Sequence, residues 1–469
     1  MMTRFQPSFI AVAALLFLSA VACQVPVADN AKGAKTADSA FVRLITADPG
    51  HFHAALVQKS MSEGIDSVVY VYAPEGPELQ AHLALIKQYN ERAESPTHWK
   101  EQVYTGNDFF EKLIAEKKGN VLVLAGNNLR KTQYITRAIN AGLHVLADKP
   151  MSITPANFTE LEKDFSTAAE KKLLLYDIMT ERSEITNILL KELAQLPEVF
   201  GTLQEGTAQS PAVTIESVHY FYKFVSGKAL TRPAWFFDPA QQGEAIADVG
   251  THLADLVQWT CFPEQVIDYK TDIQVNSARL WPTPISKSQF TAVTGAAVFP
   301  PFLQPYVQAD TILNTHGNGA VQYRLKGKQV LLTARWDYKA PEGSGDTHYC
   351  LLKGSLANLE IKQGKEENYK PTLYIWPVKS STAYDSTLHQ SMLKMDATYK
   401  GVSIEKNGKG YKIAIPDSFK VGHEAHFGQV MQRYLQYLKA GQLPAWETPG
   451  MIAKYYTTAK ALEVAANKR

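Results

Sequence analysis

The sequence predicts a two-domain α/β protein: a doubly wound parallel sheet first, then an α+β domain built on a large, mostly antiparallel sheet. Three observations carry this. Between about residues 41 and 150, β-branched and apolar runs alternate with stretches of helical spacing, as βαβ units require. Beyond about residue 200, strand-like runs follow one another instead. At 469 residues, the chain also exceeds what one core usually supports.

The first element is Phe9–Cys23, FIAVAALLFLSAVAC, in which Ser19 is the single polar residue; Arg4 precedes it. So short a run does not span ~30 Å of hydrocarbon, which takes ~20 helical residues. It fits the apolar region of an export signal with a small-residue cleavage site. Its ending, Ala20-Val21-Ala22-Cys23, resembles a bacterial lipobox. Residues 1–23 are therefore expected to be a lipoprotein signal, with Cys23 as the lipid-bearing anchor of an exported, periplasm-facing chain. Ordinary secretion and a retained membrane anchor are the alternatives. Residues 24–39 are polar and aperiodic, a flexible tether.

The parallel-sheet domain is expected over 40–165. Phe41–Ala47 reads as strand, His53–Met61 as helix, Ser67–Ala73 as strand and Glu78–Tyr89 as helix. Asn107 can cap the helix DFFEKLIAEKK, and Asn120–Ala125 is a buried strand. Lys131–Ala141 is helical up to Gly142, and His144–Ala147 starts another strand. Thr154-Pro155 opens a helix with a cap residue and Pro at its first position. The second domain, 166–469, carries VTIESVHYFYKF, VIDYKTDIQV, QYRLKGKQVLLTARWDY, LANLEIKQ and TLYIWPV as strands. VSIEKNGKGYKIAI contains Asn407-Gly408, a two-residue hairpin signal. Amphipathic helices around His426–Leu438 and Met451–Ala466 close the chain.

Composition removes several function classes. Lys and Arg number 48 against 46 Asp and Glu, so no basic excess favours a nucleic-acid partner. Three cysteines are too few for a disulfide framework; Cys261 and Cys350 are left as a pair or as free thiols.

An open parallel sheet binds ligands beyond the carboxyl ends of its strands. The loop Ile45–His53 lies there. A dinucleotide fold places G-x-G-x-x-G at this point, so that backbone N–H groups approach a pyrophosphate. Here Gly50 supplies the last glycine, while Ile45 and Ala47 hold the other two positions. Those side chains obstruct the approach and Asp48 adds unfavourable charge, although a helix N-terminus still offers an anion ~0.3–1 kcal/mol. Gly126-Asn127-Asn128 ends a strand, either as ligand-holding amides or as an Asx turn. In Ala147-Asp148-Lys149-Pro150, Lys149 is either a cleft lysine with a lowered pKa or a turn lysine.

Asp248, His252 and Asp255 are spaced i, i+4, i+7 and share one helix face. A histidine flanked by carboxylates has a fixed tautomer and a raised pKa, as proton transfer needs; a structural histidine is the alternative. Upstream, His219-Tyr220-Phe221-Tyr222-Lys223 and Arg232-Pro233-Ala234-Trp235-Phe236-Phe237-Asp238 set aromatics beside charge. Such a mixture suits a sugar face, or a hydrophobic strand with exposed ends. His51 and His53, and His423 and His426, do not match the H-E-x-x-H spacing, and no cysteine pair joins them; no metal site is expected.

These motifs, in this order, resemble the glucose–fructose oxidoreductase / inositol dehydrogenase (Gfo/Idh/MocA) family. Residues 120–150 are similar to its strand, T-P-N turn, helix, Ala-Gly, strand and Glu-Lys-Pro, with Asn128, Lys149 and Pro150 matching and Asp148 replacing Glu. Residues 243–255 resemble its G-G-x-x-x-D-x-G-x-H-x-x-D signature. The resemblance implies a Rossmann domain binding NAD or NADP, then a sheet domain that binds substrate and often mediates homo-oligomers. It implies hydride transfer from a carbohydrate or polyol, with Lys149 on the reacting hydroxyl, His252 as acid/base and Asp248 binding or orienting substrate. Gly50, His51, His53, Asn128, Asp148 and Lys149 would face the cofactor; His219, Lys223, Arg232 and Asp255 would face the substrate. Export adds an alternative, a glycosidase or lyase using tightly held NAD in a closed redox cycle. The missing glycines add another, a carbohydrate-binding protein without catalysis.

Overall fold

The protein is seen as a computed structural model that describes residues 41–225 and 228–467. The expected signal, Cys23 and the tether lie outside the described residues. No helix among the described residues is long and apolar enough to cross a membrane.

The first layer is a six-stranded sheet: β1 Leu44–Ala47, β2 Val68–Ala73, β3 Lys100–Thr105, β4 Val121–Leu124, β5 His144–Asp148 and β6 Leu175–Ile178. Its order is β3-β2-β1-β4-β5-β6, with every pairing parallel. β1 and β4 are buried throughout, the continuous apolar pattern of strands covered on both faces. The connections carry α1 His53–Leu56, α2 Pro77–Glu91, α3 Phe109–Glu116, α4 Lys131–Asn140 and α5 Pro155–Glu170. Thr154 caps α5 as expected, its hydroxyl accepting from Asn157 N–H at 3.1 Å. Asn107 does not cap α3, whose first turn follows Asp108 without a side-chain bond.

Two expectations are corrected here. The 40–165 boundary falls inside α5, because the sixth strand comes from Leu175–Ile178 and completes the sheet beside β5. The helix His423–Ala440, assigned to the second domain, packs Phe427, Val430, Met431 and Tyr434 into the core of the first. Hydrophobic burial decides both: the parallel sheet needs a covered face at β6, and the C-terminal chain supplies part of it.

The second layer holds nine strands, with β7, Val213–Tyr222, fourth in order across the sheet. β7 pairs in parallel with Lys328–Lys339 and antiparallel with Thr347–Lys353; the other pairings are antiparallel. The Asn407-Gly408 hairpin forms, with Asn407 opposite Gly410. VIDYKTDIQV is shorter as a strand than expected, since Tyr269–Asp272 makes a helical turn before the strand Ile273–Trp281. α6, Ile185–Ala194, and α7, Ala245–Cys261, lie in this domain's core with part of the last helix, Glu447–Ala466. α7 approaches closely at Gly319, where a Cβ would meet Ile246 Cγ1 at 2.4 Å. Cys261 and Cys350 are free thiols.

Candidate active site

α7 brings two of its three expected polar residues to different tasks. Asp248 Oδ1 accepts from Lys149 Nζ at 2.7 Å, across the junction between β5 and α7. Both side chains are largely buried. Burial alone would lower the lysine's pKa, but the Asp248 and Asp148 carboxylates outweigh it and the net shift is upward. The expected lowered lysine is thus corrected: Lys149 stays an ammonium. Asp248 is held below the usual carboxylate range, Lys149 overcoming the burial that pushes it up.

His252 is also corrected. Its pKa lies well below the usual value because burial and the Lys149 cation disfavour the imidazolium. The flanking carboxylates are engaged elsewhere, so they neither fix its tautomer nor charge it. Its Nδ1 is buried without a hydrogen-bond partner among the described residues. The imidazole is therefore neutral and able to accept a proton, while burial and the Lys149 ammonium make it a weaker base than a free histidine.

Asp255, expected to face substrate, is instead 1% exposed and belongs to a buried ion network. Arg182 grips both of its oxygens at 2.7 Å, and Lys454 Nζ reaches Oδ1 at 2.7 Å. Lys454 also reaches Asp177 at the end of β6, and Arg182 also reaches Glu447 at 2.9 Å. Tyr455 donates to Asp177 Oδ2 at 2.9 Å and accepts Met151 N–H at 3.2 Å, two residues beyond Lys149. This network joins β6, α7 and the last helix, and through Met151 it reaches the segment that follows Lys149.

The substrate-side residues divide. His219 Nδ1 lies 3.0 Å from Asp346 Oδ2, and Lys223 pairs with the same oxygen. Asp346 and Glu181 were not identified in the sequence. Burial, with Glu184 nearby, raises the Glu181 carboxyl to about 7, opposed by Lys149. Arg232 is corrected: it is buried, donates to the Phe221 and Tyr220 carbonyls at 3.1 Å, and stacks on Phe236 and Trp336. Burial lowers it to about 10. The expected aromatic sugar face is corrected too, because Phe221, Phe236, Phe237 and Trp336 are core residues. With Asp248 they leave a space of only about 30 Å³.

A separate groove of about 540 Å³ runs beyond the carboxyl ends of β1, β2 and β4, the size range of small-molecule and cofactor sites. Gly50, Asp48, Glu75, Glu78, Arg130 and Trp235 line it. α1 is a single turn, not the His53–Met61 helix expected, so the expected helix N-terminus for an anion is absent. Gly50 N–H is bonded to Asp48 O at 2.7 Å and His51 N–H to Ala125 O at 3.2 Å. The β4 loop packs against them; a Cβ on Gly126 would meet Asp48 O at 2.2 Å. Glu75 and Glu78 after β2, and the Arg130 side chain, are the groups lining this groove that would hold a dinucleotide's ribose hydroxyls and phosphates.

The expected cofactor residues separate as well. Gly50 lines the groove. Asn128 is corrected: it is buried, its N–H and side-chain amide bonded to the Gln241 and Gln242 carbonyls, while Asn127 and Leu129 reach the groove. His51, His53, Asp148 and Lys149 form a cluster outside the groove wall, with His53 Nδ1 2.9 Å from Asp148 Oδ2.

A dinucleotide-type sheet, a groove at its carboxyl edge and a Lys–Asp pair beside a free imidazole define a two-domain oxidoreductase. The chain belongs to the family described as "Putative oxidoreductase C terminal domain", whose model matches residues 189–466. It is 50% identical to a structure described as a putative oxidoreductase from Parabacteroides merdae, over 91% of this chain and 98% of that one, with a TM-score of 0.89. It shares the fold of a protein described as a putative myo-inositol dehydrogenase from Sinorhizobium meliloti (13% identity, 91% and 98% covered, TM-score 0.52). It likewise shares that of a levoglucosan dehydrogenase in complex with NADH and levoglucosan (11% identity, 91% and 98% covered, TM-score 0.57). No curated protein matches.

Proposed function

We propose that the protein oxidises or reduces a carbohydrate or polyol by hydride transfer with NAD or NADP. One observation carries this: Lys149, paired with Asp248 at 2.7 Å, stands with His252 at the carboxyl end of the parallel sheet, whose edge also holds a cofactor-sized groove. The dinucleotide would supply the hydride acceptor or donor. Glu75, Glu78 and Arg130 would hold it. Lys149 donates to the reacting hydroxyl oxygen and stabilises the charge that develops there. His252, a neutral imidazole, takes the hydroxyl proton. Asp248 fixes the lysine, and His219 and Lys223, oriented by Asp346, bind neighbouring hydroxyls. The sugar- and polyol-dehydrogenase neighbours support this substrate class.

The signal-like segment supports export as a lipoprotein anchored at Cys23, and with it a second reading. An exported chain without a nucleotide pool would work by holding NAD through each turnover, as a glycosidase or lyase with a closed redox cycle. Mature protein from its native envelope is denatured and the released molecules identified by mass spectrometry. Stoichiometric NAD(H) or NADP(H) supports both readings, and cleavage products without net redox change select the second. No nucleotide, with no binding of added nucleotide, overturns both. Loss of fatty-acid labelling in Cys23→Ala tests the anchor; unchanged labelling contradicts it.

A further inference from the structure

The loop after β1 and the end of β5 make a cluster that hydride transfer leaves unused. His51, His53 and Asp148 each offer a ligand atom within 4.8 Å of the others. Asp148 Oδ2 lies 2.9 Å from His53 Nδ1 and 3.8 Å from His51 Nδ1. Donors held ~2.1 Å from a tetrahedral ion stand about 3.4 Å apart, so these two distances bracket the spacing a bound ion needs. The third spacing, between the two imidazole ligand atoms, is no more than 4.8 Å.

The surroundings fit as well. Asp148 is 5% and His53 8% exposed, whereas the His51 side chain is 24% exposed and leaves a way in. His51 Nδ1 accepts a long contact from His53 N–H at 3.4 Å, so that nitrogen is unprotonated, and a bound ion would replace this contact. Lys149 pairs with Asp248, and Lys131 donates to the Asp148 carbonyl at 3.0 Å, so neither is paired with the Asp148 carboxylate. Asp148 Oδ2 therefore faces two imidazoles, and no lysine is paired with that carboxylate among the described ion pairs. The pattern was missed in the sequence because the third ligand lies 95 residues from His53, and only the β1–β4–β5 order brings them together.

We propose that His51, His53 and Asp148 bind one divalent first-row transition-metal ion, with at least one coordination position left open. Two imidazoles and one carboxylate suit zinc, iron or nickel better than magnesium or calcium, which favour all-oxygen sites. The site stands apart from the groove and does not depend on nucleotide binding.

The purified protein is stripped with a chelator and titrated with zinc(II) by calorimetry, then with cobalt(II) by visible absorption. One ion per chain is expected, with a cobalt spectrum of four- or five-coordination. Asp148→Asn and His53→Ala should weaken binding more than about 100-fold. His51→Ala, at a more exposed position, provides a folded control by circular dichroism and should also weaken it. No saturable binding by the wild-type protein overturns the proposal. So does wild-type affinity in folded His51→Ala or Asp148→Asn.

Discussion

Lys149 Nζ and Asp248 Oδ1 lie 2.7 Å apart, tying the end of β5 in the first sheet to α7 in the second domain. The pair makes the site's geometry depend on how the two layers meet. Asp248→Asn keeps the side-chain volume but removes the charge that holds the ammonium. Turnover should fall about 10²–10⁴-fold with the fold intact by circular dichroism. Wild-type turnover would remove Asp248 from the machinery.

Asp255 tests the division of labour along α7. It faces Arg182 and Lys454, not a ligand. Breaking a buried, hydrogen-bonded ion network costs about 3–5 kcal/mol, so Asp255→Asn should lower the melting temperature clearly. Unchanged stability with a raised KM would return Asp255 to the substrate side.

Asp48 predicts a pH dependence. Burial and Glu78 raise its carboxyl to about 6, with Arg130 opposing. A dinucleotide phosphate in the same groove favours the protonated form further, so binding takes up a proton. Nucleotide affinity, followed by fluorescence titration, should fall as pH rises through about 6. Asp48→Asn should flatten that dependence; an unaltered profile would contradict it.

Glu181 and Glu101 give a stability signature. Burial raises both to about 7, above their unfolded value. The folded state then holds these protons more tightly, and its stability falls as pH rises from about 4.5 through 7. Thermal melts should show a higher melting temperature at pH 6.5 than at pH 8. Glu181→Gln and Glu101→Gln together should reduce that difference, and no reduction would exclude these groups as its cause.

The layer order and most strands of the fold were legible because burial writes period and composition directly into runs such as VLVL. β3, KEQVYT, was not, since it is a largely exposed edge strand with no apolar face to betray it. β6, LYDI, is too short to show a period. Spacing and resemblance single out Lys149, Asp248 and His252, but the protonation of these residues was not legible. That depends on which carboxylate each cation captures, and Arg182 and Lys454 capture Asp255 from elements 73 and 199 residues away. Asp346 sits in a Gly/Ser-rich turn where a polar residue carries no signal. Arg232 and its aromatic neighbours read equally well as ligand face or core, and core packing won.

The most direct test is a single-turnover experiment with the protein, NAD or NADP, and a panel of sugars and polyols, following the absorbance of reduced nicotinamide. The account predicts reduction with at least one of them, lost in Lys149→Ala and His252→Ala while nucleotide binding persists. Saturable nucleotide binding that never leads to reduction, or equal reduction by both variants, would contradict it.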